Sequence, residues 1–156
     1  MLLRIVRDLT PEEVTVRIRR FEEEFGMAFE RFEALFLEKK VDAKFAANYF
    51  EWAELVNSYK GYIEDGQLDY TVEEIVDLEP KEVALLTPKR MQLMYQIASL
   101  RVESISDLAT KTKRNVKNVY QDLQVLRSLN FVRFERRKGR ALIPETPIKE
   151  ITFLIR

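Results

Sequence analysis

Amide and cationic side chains are concentrated between residues 111 and 124, which read KTKRNVKNVYQDLQ. Asn and Gln side chains can each make two hydrogen bonds to the edge of adenine, while Lys and Arg can bond to guanine or to phosphate. Residues of this kind on one side of a single helix or strand can contact both the phosphates and the bases of a nucleic acid. The candidates in this stretch are Lys111, Lys113, Arg114, Asn115, Lys117, Asn118, Tyr120, Gln121 and Gln124.

A short helix, a turn and a longer helix are expected to position these side chains. We expect a short strand at residues 103–105, Ser106 as the N-cap of the short helix, and a turn at Lys113 and Arg114. The longer helix should begin near Asn115, and its apolar residues recur at spacings of 3, 4, 3 and 3. We expect those residues to face the core: Val116, Val119, Leu123, Leu126 and Leu129. This is a helix-turn-helix arrangement with residues 115–129 as the recognition helix, and a merely solvated outer face is the alternative.

A basic hairpin is expected directly after the longer helix. FVRFERR alternates in part between apolar and charged residues, KG can turn the chain, and RALI returns it. A hairpin in this position is a wing, which lies along the DNA backbone or in the minor groove. The predicted wing covers residues 131–143, and its cationic candidates are Arg133, Arg136, Arg137, Lys138 and Arg140.

Charge divides the chain into two parts. Residues 1–86 contain 11 Lys and Arg against 20 Asp and Glu, whereas residues 87–156 contain 15 against 6. This asymmetry indicates an acidic module joined to a basic one that is the candidate for binding a polyanion, and two ordinary faces that attract each other are the alternative.

Residues 64–86 resemble a connector with one short helix or strand. We therefore predict an acidic helical dimerisation or partner-binding region at residues 1–79 and a DNA-binding domain at residues 80–156. The latter begins with a helix capped by Thr87, whose expected inner face is Met91, Met94, Ile97 and Ala98.

The N-terminal region is predicted to be helical after a short strand, LLRIVRD. Thr10, Pro11 and Glu13 form a capping box for a first helix that ends at Gly26, a second helix follows at residues 28–39, and Asp42 caps a third that runs to about residue 63. Large apolar residues form a heptad-like seam along the third helix: Phe45, Tyr49, Trp52, Val56, Tyr59 and Ile63. The seam is the candidate dimer or partner interface, and burial under the first two helices of the same protomer is the alternative.

Composition excludes several classes of protein. The 156 residues include no Cys and no His, so disulfides, thiolate metal sites and the commonest general base are absent. We expect no metal, no cofactor and no enzymatic activity, because the carboxylate clusters occur without a phosphate-binding loop or a nucleophile motif. No apolar stretch reaches the roughly 20 residues of a membrane span, and a cytoplasmic location is expected. The predicted fold class is mainly α with a small β-wing (α+β).

The combination of LTPKRMQLM, SISDLATKTKRNVKNVYQDLQVLRSLNFV and the wing resembles winged-helix transcriptional regulators of the MarR/ArsR-like kind found mainly in archaea. The resemblance covers about residues 80–156 and implies sequence-specific operator binding, usually as a dimer. It departs from the family at Asn130, where Gly is common; Asn also tolerates a left-handed backbone. The N-terminal segments EEEFGMAFERFEALF and YFEWAELVNSYKGY are similar to helical segments of small antitoxin-like proteins, which implies toxin binding or dimerisation.

The expected function is sequence-specific binding of double-stranded DNA by a homodimeric transcriptional regulator. A repressor is expected, and the DNA-binding antitoxin of a toxin-antitoxin pair is one form of it. A toxin or another protein is the expected partner of the N-terminal region. The alternative is a protein-interaction module in which both the winged helix and the acidic helices bind proteins.

Overall fold

The computed structural model describes residues 1–38, 42–136, 139 and 141–156 of an α+β protein. The chain divides into two units, one formed by Met1–Arg7 with Glu73–Arg156 and the other by Asp8–Val72. We call the first the discontinuous unit and the second the inserted unit. In chain order the described elements are β1 (Leu2–Asp8), α1 (Pro11–Phe25), α2 (Phe29–Leu37), α3 (Ala43–Asp65), β2 (Thr71–Asp77), α4 (Pro80–Val83), α5 (Pro88–Ser99), α6 (Ile105–Thr112), α7 (Val116–Ser128), β3 (Arg133–Arg136), β4 (Leu142–Glu145) and β5 (Ile148–Phe153).

Local signals determine the helix boundaries of the inserted unit. The Thr10 hydroxyl accepts a hydrogen bond from the Glu13 N–H, and the Glu13 carboxylate accepts one from the Thr10 N–H, each at 3.1 Å. This confirms the predicted capping box of α1. Gly26 ends the helix at a φ of +65°, a left-handed conformation that glycine adopts without steric cost. Asp42 caps α3 as predicted, with its carboxylate accepting from the Phe45 N–H.

Aromatic side chains form the core of the inserted unit. Trp52 of α3 is fully buried, and its ring lies 5.3 Å from Phe21, 4.9 Å from Phe32 and 5.5 Å from Phe29, measured between centroids. Offset and tilted rings at such distances attract one another in addition to the area that they bury. The α1 and α2 helices therefore cover α3 within one protomer.

This packing corrects the expected interface along the seam of α3. Trp52 belongs to the buried cluster, and four further seam residues pack against the same cluster: Phe45, Tyr49, Val56 and Tyr59. The sixth, Ile63, is 65% exposed. The heptad-like spacing arose because α3 has two neighbouring helices in its own chain, which was the alternative interpretation of the seam.

A three-stranded sheet explains why Met1–Arg7 belongs to the discontinuous unit. Its order is β2-β1-β5, and β1 and β5 pair antiparallel, with Leu3 opposite Phe153 and Ile5 opposite Ile151. The first strand is thus held by the last strand of the chain, whereas the predicted division placed the two in different domains. The connector also differs from the expectation, because it holds both a strand, β2, and a short helix, α4.

The sheet, α5, α6 and α7 share one apolar core. Leu3 and Ile5 of β1 are buried in the same cluster as Leu93 of α5, Leu108 of α6 and Leu123 of α7. The expected inner face of α5 is confirmed at Ile97, which is buried, and at Met94, which packs against the core. It is wrong at Met91 and Ala98, which are exposed, and Leu93 is the buried residue that it missed. None of the helices described here is both long enough and apolar enough to cross a membrane.

Candidate nucleic-acid interface

Three backbone features fix the connection between α6 and α7. Ser104 caps α6 and accepts a hydrogen bond from the Asp107 N–H at 2.9 Å. Lys113 ends α6 in the left-handed conformation at a φ of +56°. The Asn115 side chain then caps α7 by accepting from the N–H groups of Lys117 and Asn118, at 2.9 and 3.3 Å. A turn of three residues therefore joins two capped helices.

The N-terminal cap of α6 differs from the prediction. Ser106 lies inside the helix, and Glu103–Ile105 is not a strand, because Ser104 already caps a helix that starts at Ile105. Both serines precede the apolar pair Leu108 and Ala109, so the pattern alone fitted either one. The predicted cap of α5 at Thr87 is confirmed, and α7 begins near Asn115 as predicted, with Asn115 itself as the cap.

A nearly buried carboxylate ties α7 to two other parts of the discontinuous unit. Asp122 of α7 is 14% exposed at its side chain and accepts from Arg90 of α5 at 3.0 Å and from Arg114 of the turn at 2.6 Å. Both contacts are charge-assisted hydrogen bonds, which are stronger than bonds between neutral groups, and the carboxylate is largely shielded from water. Arg114 was a candidate for contacting DNA, but the structure assigns it to holding the turn against α7.

Two further cationic candidates are also engaged within the chain. Lys111 donates to the Arg101 carbonyl and lies 3.0 Å from the Asp107 carboxylate, one turn earlier on α6. The pKa of Asp107 is lowered, chiefly by the Glu103 N–H that it accepts from and then by Lys111. Arg133 of β3 donates to Glu145 of β4 at 3.3 Å. Each of these cations can reach a phosphate only by sharing or leaving its present partner.

The remaining candidates on α7 form one exposed surface, which we call the α7 face. Val119, Leu123 and Leu126 are buried, so the helix presents its polar side outward as predicted. The α7 face comprises Lys117, Asn118, Tyr120 and Gln121, which are exposed, and Gln124, which is half-buried. Lys113, at the end of α6, is also exposed.

Val116 belongs to the α7 face as well. It was expected to face the core, but it is 48% exposed because it is the first residue of α7, one turn before the first buried position on its side of the helix. Its exposure next to Lys117 gives an otherwise polar surface an apolar component. The asparagine cap at residue 115, which fixes where the helix begins, was the signal that could have predicted this.

The hairpin formed by β3 and β4 follows α7 as predicted. The strands pair antiparallel from Arg133 opposite Glu145 to Arg136 opposite Leu142. Asn130 adopts the left-handed conformation, with a φ of +63°, and so does the turn residue Gly139, at +112°. The Arg127 guanidinium of α7 lies 5.4 Å from the centroid of the Phe134 ring, which links the helix to the hairpin.

The predicted basic tip of the hairpin is only partly described. Arg136 is exposed at the end of β3, whereas Arg137, Lys138 and Arg140 lie outside the described residues. Carboxylates accompany the cations on the described strands. Burial raises the pKa of Glu145, and the hydrogen bond and charge of Glu135 raise it further, against the lowering effect of Arg133.

A groove of about 300 Å³ lies elsewhere on the discontinuous unit, between α5 and β5. It is lined by Met91, Met94, Tyr95 and Ala98 of α5, together with Ile151 and Phe153 of β5 among others. Tyr95 is 75% exposed. This surface is mainly apolar, unlike the α7 face. In the described part of the chain, no cluster of three or more acidic side chains could hold a metal ion.

Comparison with known protein families gives a match to the part of the chain that contains the α7 face. The family model HVO_A0114 matches residues 85–153, less than half of the chain. The matched range contains α5, α6, α7, the hairpin and β5, and it excludes the inserted unit. No curated protein and no solved structure matches the chain.

Proposed function

We propose that the protein is a sequence-specific DNA-binding regulator of transcription, with residues 80–156 acting as a winged helix-turn-helix domain. The observation that carries the proposal is the α7 face, in which Lys117, Asn118 and Gln121 are exposed on a capped helix joined to α6 by a turn of three residues. In this proposal residues 115–129 enter the major groove. Residues 131–143 act as the wing along the backbone.

Dimensions support this docking. The 13 residues of α7 span about 20 Å, and an α-helix fits the major groove, which is about 12 Å wide. Asn118 and Gln121 have the side chains that pair with adenine, whereas Lys117 suits guanine or phosphate. Because Asp122 binds both Arg90 and Arg114, α7 has a fixed position on its unit, which base recognition requires.

Charge supports the assignment of DNA binding to the discontinuous unit. That unit contains 18 Lys and Arg against 11 Asp and Glu, and the inserted unit contains 8 against 15. The net charges are therefore +7 and −7, so phosphate is attracted to the unit that holds the α7 face. We propose that the acidic inserted unit binds a protein, and an antitoxin function with a toxin as that protein remains part of the proposal.

The groove between α5 and β5 favours a second candidate function, namely protein binding by the discontinuous unit. Met91, Tyr95 and Phe153 are all exposed there, and exposed apolar groups that lie together mark sites of protein association. A homodimeric regulator unites the two candidates if the groove meets a second copy while the α7 face meets DNA. A cytoplasmic location accords with both.

The two edges of the sheet indicate that a second copy would use β5. The groove adjoins the β5 edge, whereas the acidic residues of β2, Glu73, Glu74 and Asp77, each form an ion pair with Arg4, Arg7 or the N-terminal ammonium. The β5 edge carries Lys149 next to Glu150, whose carboxylate also accepts a hydrogen bond from Arg4 of the same chain. In the proposed dimer two β5 edges meet about a two-fold axis, so that the charges of Lys149 and Glu150 in one copy face those of the other.

Sedimentation of charge variants tests this dimer. Lys149→Glu leaves two acidic residues on each edge and should yield monomers, as should Glu150→Lys. An equimolar mixture of the two variants should restore a dimer, because each edge then faces the opposite charge. Ile75→Lys, an exposed substitution on the β2 edge, is the matched control and should not change the mass. A wild type that stays monomeric at micromolar concentration, or a mixture that does not associate, contradicts the dimer.

DNA binding itself is tested by its dependence on salt. Lys113, Lys117 and Arg136 remain as candidates for phosphate once Lys111, Arg114 and Arg133, which pair within the chain, are set aside. Arg137, Lys138 and Arg140 lie outside the described residues and stay candidates from the sequence. If half of all these candidates contact phosphate in each protomer of a dimer, about six contacts give a slope of about −5 in log K against log salt. A flat dependence means that this surface does not bind the backbone.

Amide and lysine variants then distinguish base recognition from general attraction. Asn118→Ala and Gln121→Ala should each weaken binding to a selected duplex by about 10-fold or more, with little effect on random DNA. Lys113→Ala and Lys117→Ala should weaken both and reduce the salt slope by about one unit each. Equal behaviour of the two classes contradicts base recognition by α7.

A further inference from the structure

Two exposed apolar side chains stand on the α7 face. Val116 is 48% and Tyr120 47% exposed, and neither belongs to the buried cluster or to the residues packed against it. They are four residues apart on α7 and therefore lie on the same side of the helix. Arg127, which contacts the hairpin through Phe134, lies on that side too.

The chemistry of the major groove offers these side chains one apolar contact. Apart from C–H edges such as cytosine C5–H, the groups that the bases expose there are hydrogen-bond donors and acceptors, and the C5 methyl of thymine is the only methyl group among them. Asn118 and Gln121, on the same two turns of α7, have the side chains that pair with adenine. Adenine and thymine are partners, so the apolar and the amide residues favour the same base pairs.

We propose that Val116 and Tyr120 recognise thymine methyl groups, and that the chain selects sites with A·T pairs opposite the first two turns of α7. This inference rests on the proposed function. The two residues are separated by about 6 Å along α7. The selected thymines should therefore lie about one or two base pairs apart, because a helix in the major groove is inclined to the DNA axis.

The experiment begins with a library of duplexes of random sequence. The full-length chain is used to enrich bound duplexes, and each thymine of the enriched duplex is then replaced in turn by deoxyuridine, which removes only the methyl group. Wild-type affinity should fall about threefold to fivefold at one or two positions, the size expected for one methyl-sized apolar contact, and remain unchanged at the others.

Variants connect those positions to the two side chains. Val116→Ala should bind the thymine and uracil duplexes equally at one sensitive position, and Tyr120→Ser should do so at the other. Both residues are exposed, so neither change is expected to unfold the unit. Ile155→Ala is the matched control, because it also truncates an exposed apolar residue of the discontinuous unit and should retain full sensitivity to uracil.

The outcomes separate this inference from the function on which it rests. An enriched duplex that tolerates uracil at every position overturns the inference and leaves the proposed function intact. Salt-dependent binding without any enriched sequence overturns the inference and also contradicts the sequence specificity of the proposed function, since no sequence is then recognised. Absence of binding at low salt contradicts the proposed function itself.

Discussion

The aromatic cluster of the inserted unit and the α7 face of the discontinuous unit use helical periodicity in opposite ways. On α3, most of the large side chains at heptad-like spacing pack in or against the aromatic cluster, and Trp52 is fully buried. On α7, the residues between the apolar positions form the candidate site, because Lys117, Asn118 and Gln121 are exposed. Regularly spaced apolar residues on a helix therefore indicate which face is buried. The residue types on the opposite face indicate which ligand the helix can bind.

The contrast between the buried side of α3 and the exposed side of α7 also indicates where protein partners can bind. The heptad-like seam suggested an interface, but Trp52 is buried and four further seam residues pack against the aromatic cluster, which leaves Ile63 exposed. One apolar surface that remains open lies between α5 and β5, where no long periodic pattern drew attention to it. Candidate interfaces are therefore better sought among apolar residues that a protomer fails to cover than among the most regular ones.

The largest effect should come from breaking the aromatic cluster. Trp52→Ala removes the side chain at its centre and should destabilise the inserted unit by about 3–5 kcal/mol. Ile63→Ala, on the same helix but 65% exposed, should stay within about 0.5 kcal/mol. Denaturant unfolding followed by circular dichroism measures both. Similar values for the two would show that α3 is not divided into a buried and an open part.

A conservative change at the same position sharpens the comparison. The Trp52 indole N–H is buried and has no hydrogen-bond partner in the described chain. Trp52→Phe keeps most of the ring contacts and removes that unsatisfied donor, so it should cost clearly less than Trp52→Ala. An equal cost would mean that a phenyl ring does not preserve the contacts that the indole makes in the cluster.

The second effect concerns the anchor beneath the α7 face. Asp122→Ala leaves Arg90 and Arg114 without their shared carboxylate in a shielded position, and we expect a loss of about 2–3 kcal/mol in the discontinuous unit. Glu103→Ala, an exposed acidic residue of the same unit, is the control and should change stability by less than about 0.5 kcal/mol. A small loss for Asp122→Ala would show that the two arginines find other partners.

Much of this fold could be predicted because its signals are local. The capping box at Thr10 and Glu13, the caps at Asp42 and Asn115, and the hairpin after α7 depend on residues a few positions apart. The pairing of β1 with β5 joins the two ends of the chain, and no local pattern encodes it. The predicted division at residue 79 missed the grouping of Met1–Arg7 for this reason.

For the candidate site, the sequence predicted which side of α7 is exposed better than it predicted which cations are free to bind. The exposed amides of α7 follow from its apolar spacing, whereas the engagement of Arg114 by Asp122 depends on a tertiary contact between charges. Lys111 and Arg133 were likewise counted as available cations although each has a carboxylate nearby. Sequence shows the charge of a side chain but not the partner that it meets after folding.

The third effect tests the corrected cap of α6. Ser104 accepts from the Asp107 N–H, so Ser104→Ala should cost about 1 kcal/mol. Ser106→Ala lies inside the same helix and replaces an exposed residue with a better helix former, so it should be neutral or slightly stabilising. Thermal unfolding of the two variants distinguishes them directly. The reverse order would restore Ser106 as the cap.

The smallest effect concerns the carboxylate on the hairpin. Burial and Glu135 raise the pKa of Glu145 above its ordinary value of 4.5, so the folded chain holds that proton more tightly than the unfolded chain does. The resulting stabilisation is complete below the ordinary value and is lost as pH rises through the folded pKa. Between those two values, the wild type should therefore lose stability relative to Glu145→Gln, whose amide does not titrate.

The difference in melting temperature between the wild type and Glu145→Gln, followed from about pH 4 to about pH 7, isolates this contribution because other titrating groups cancel. Glu64→Gln, an exposed change in the inserted unit, controls for the loss of one carboxylate. The glutamine can still accept from Arg133, so the hairpin should persist in the variant. A difference that does not change with pH would mean that Glu145 is as well solvated as an ordinary surface glutamate. The hairpin would then resemble the open α7 face more than the closed aromatic cluster.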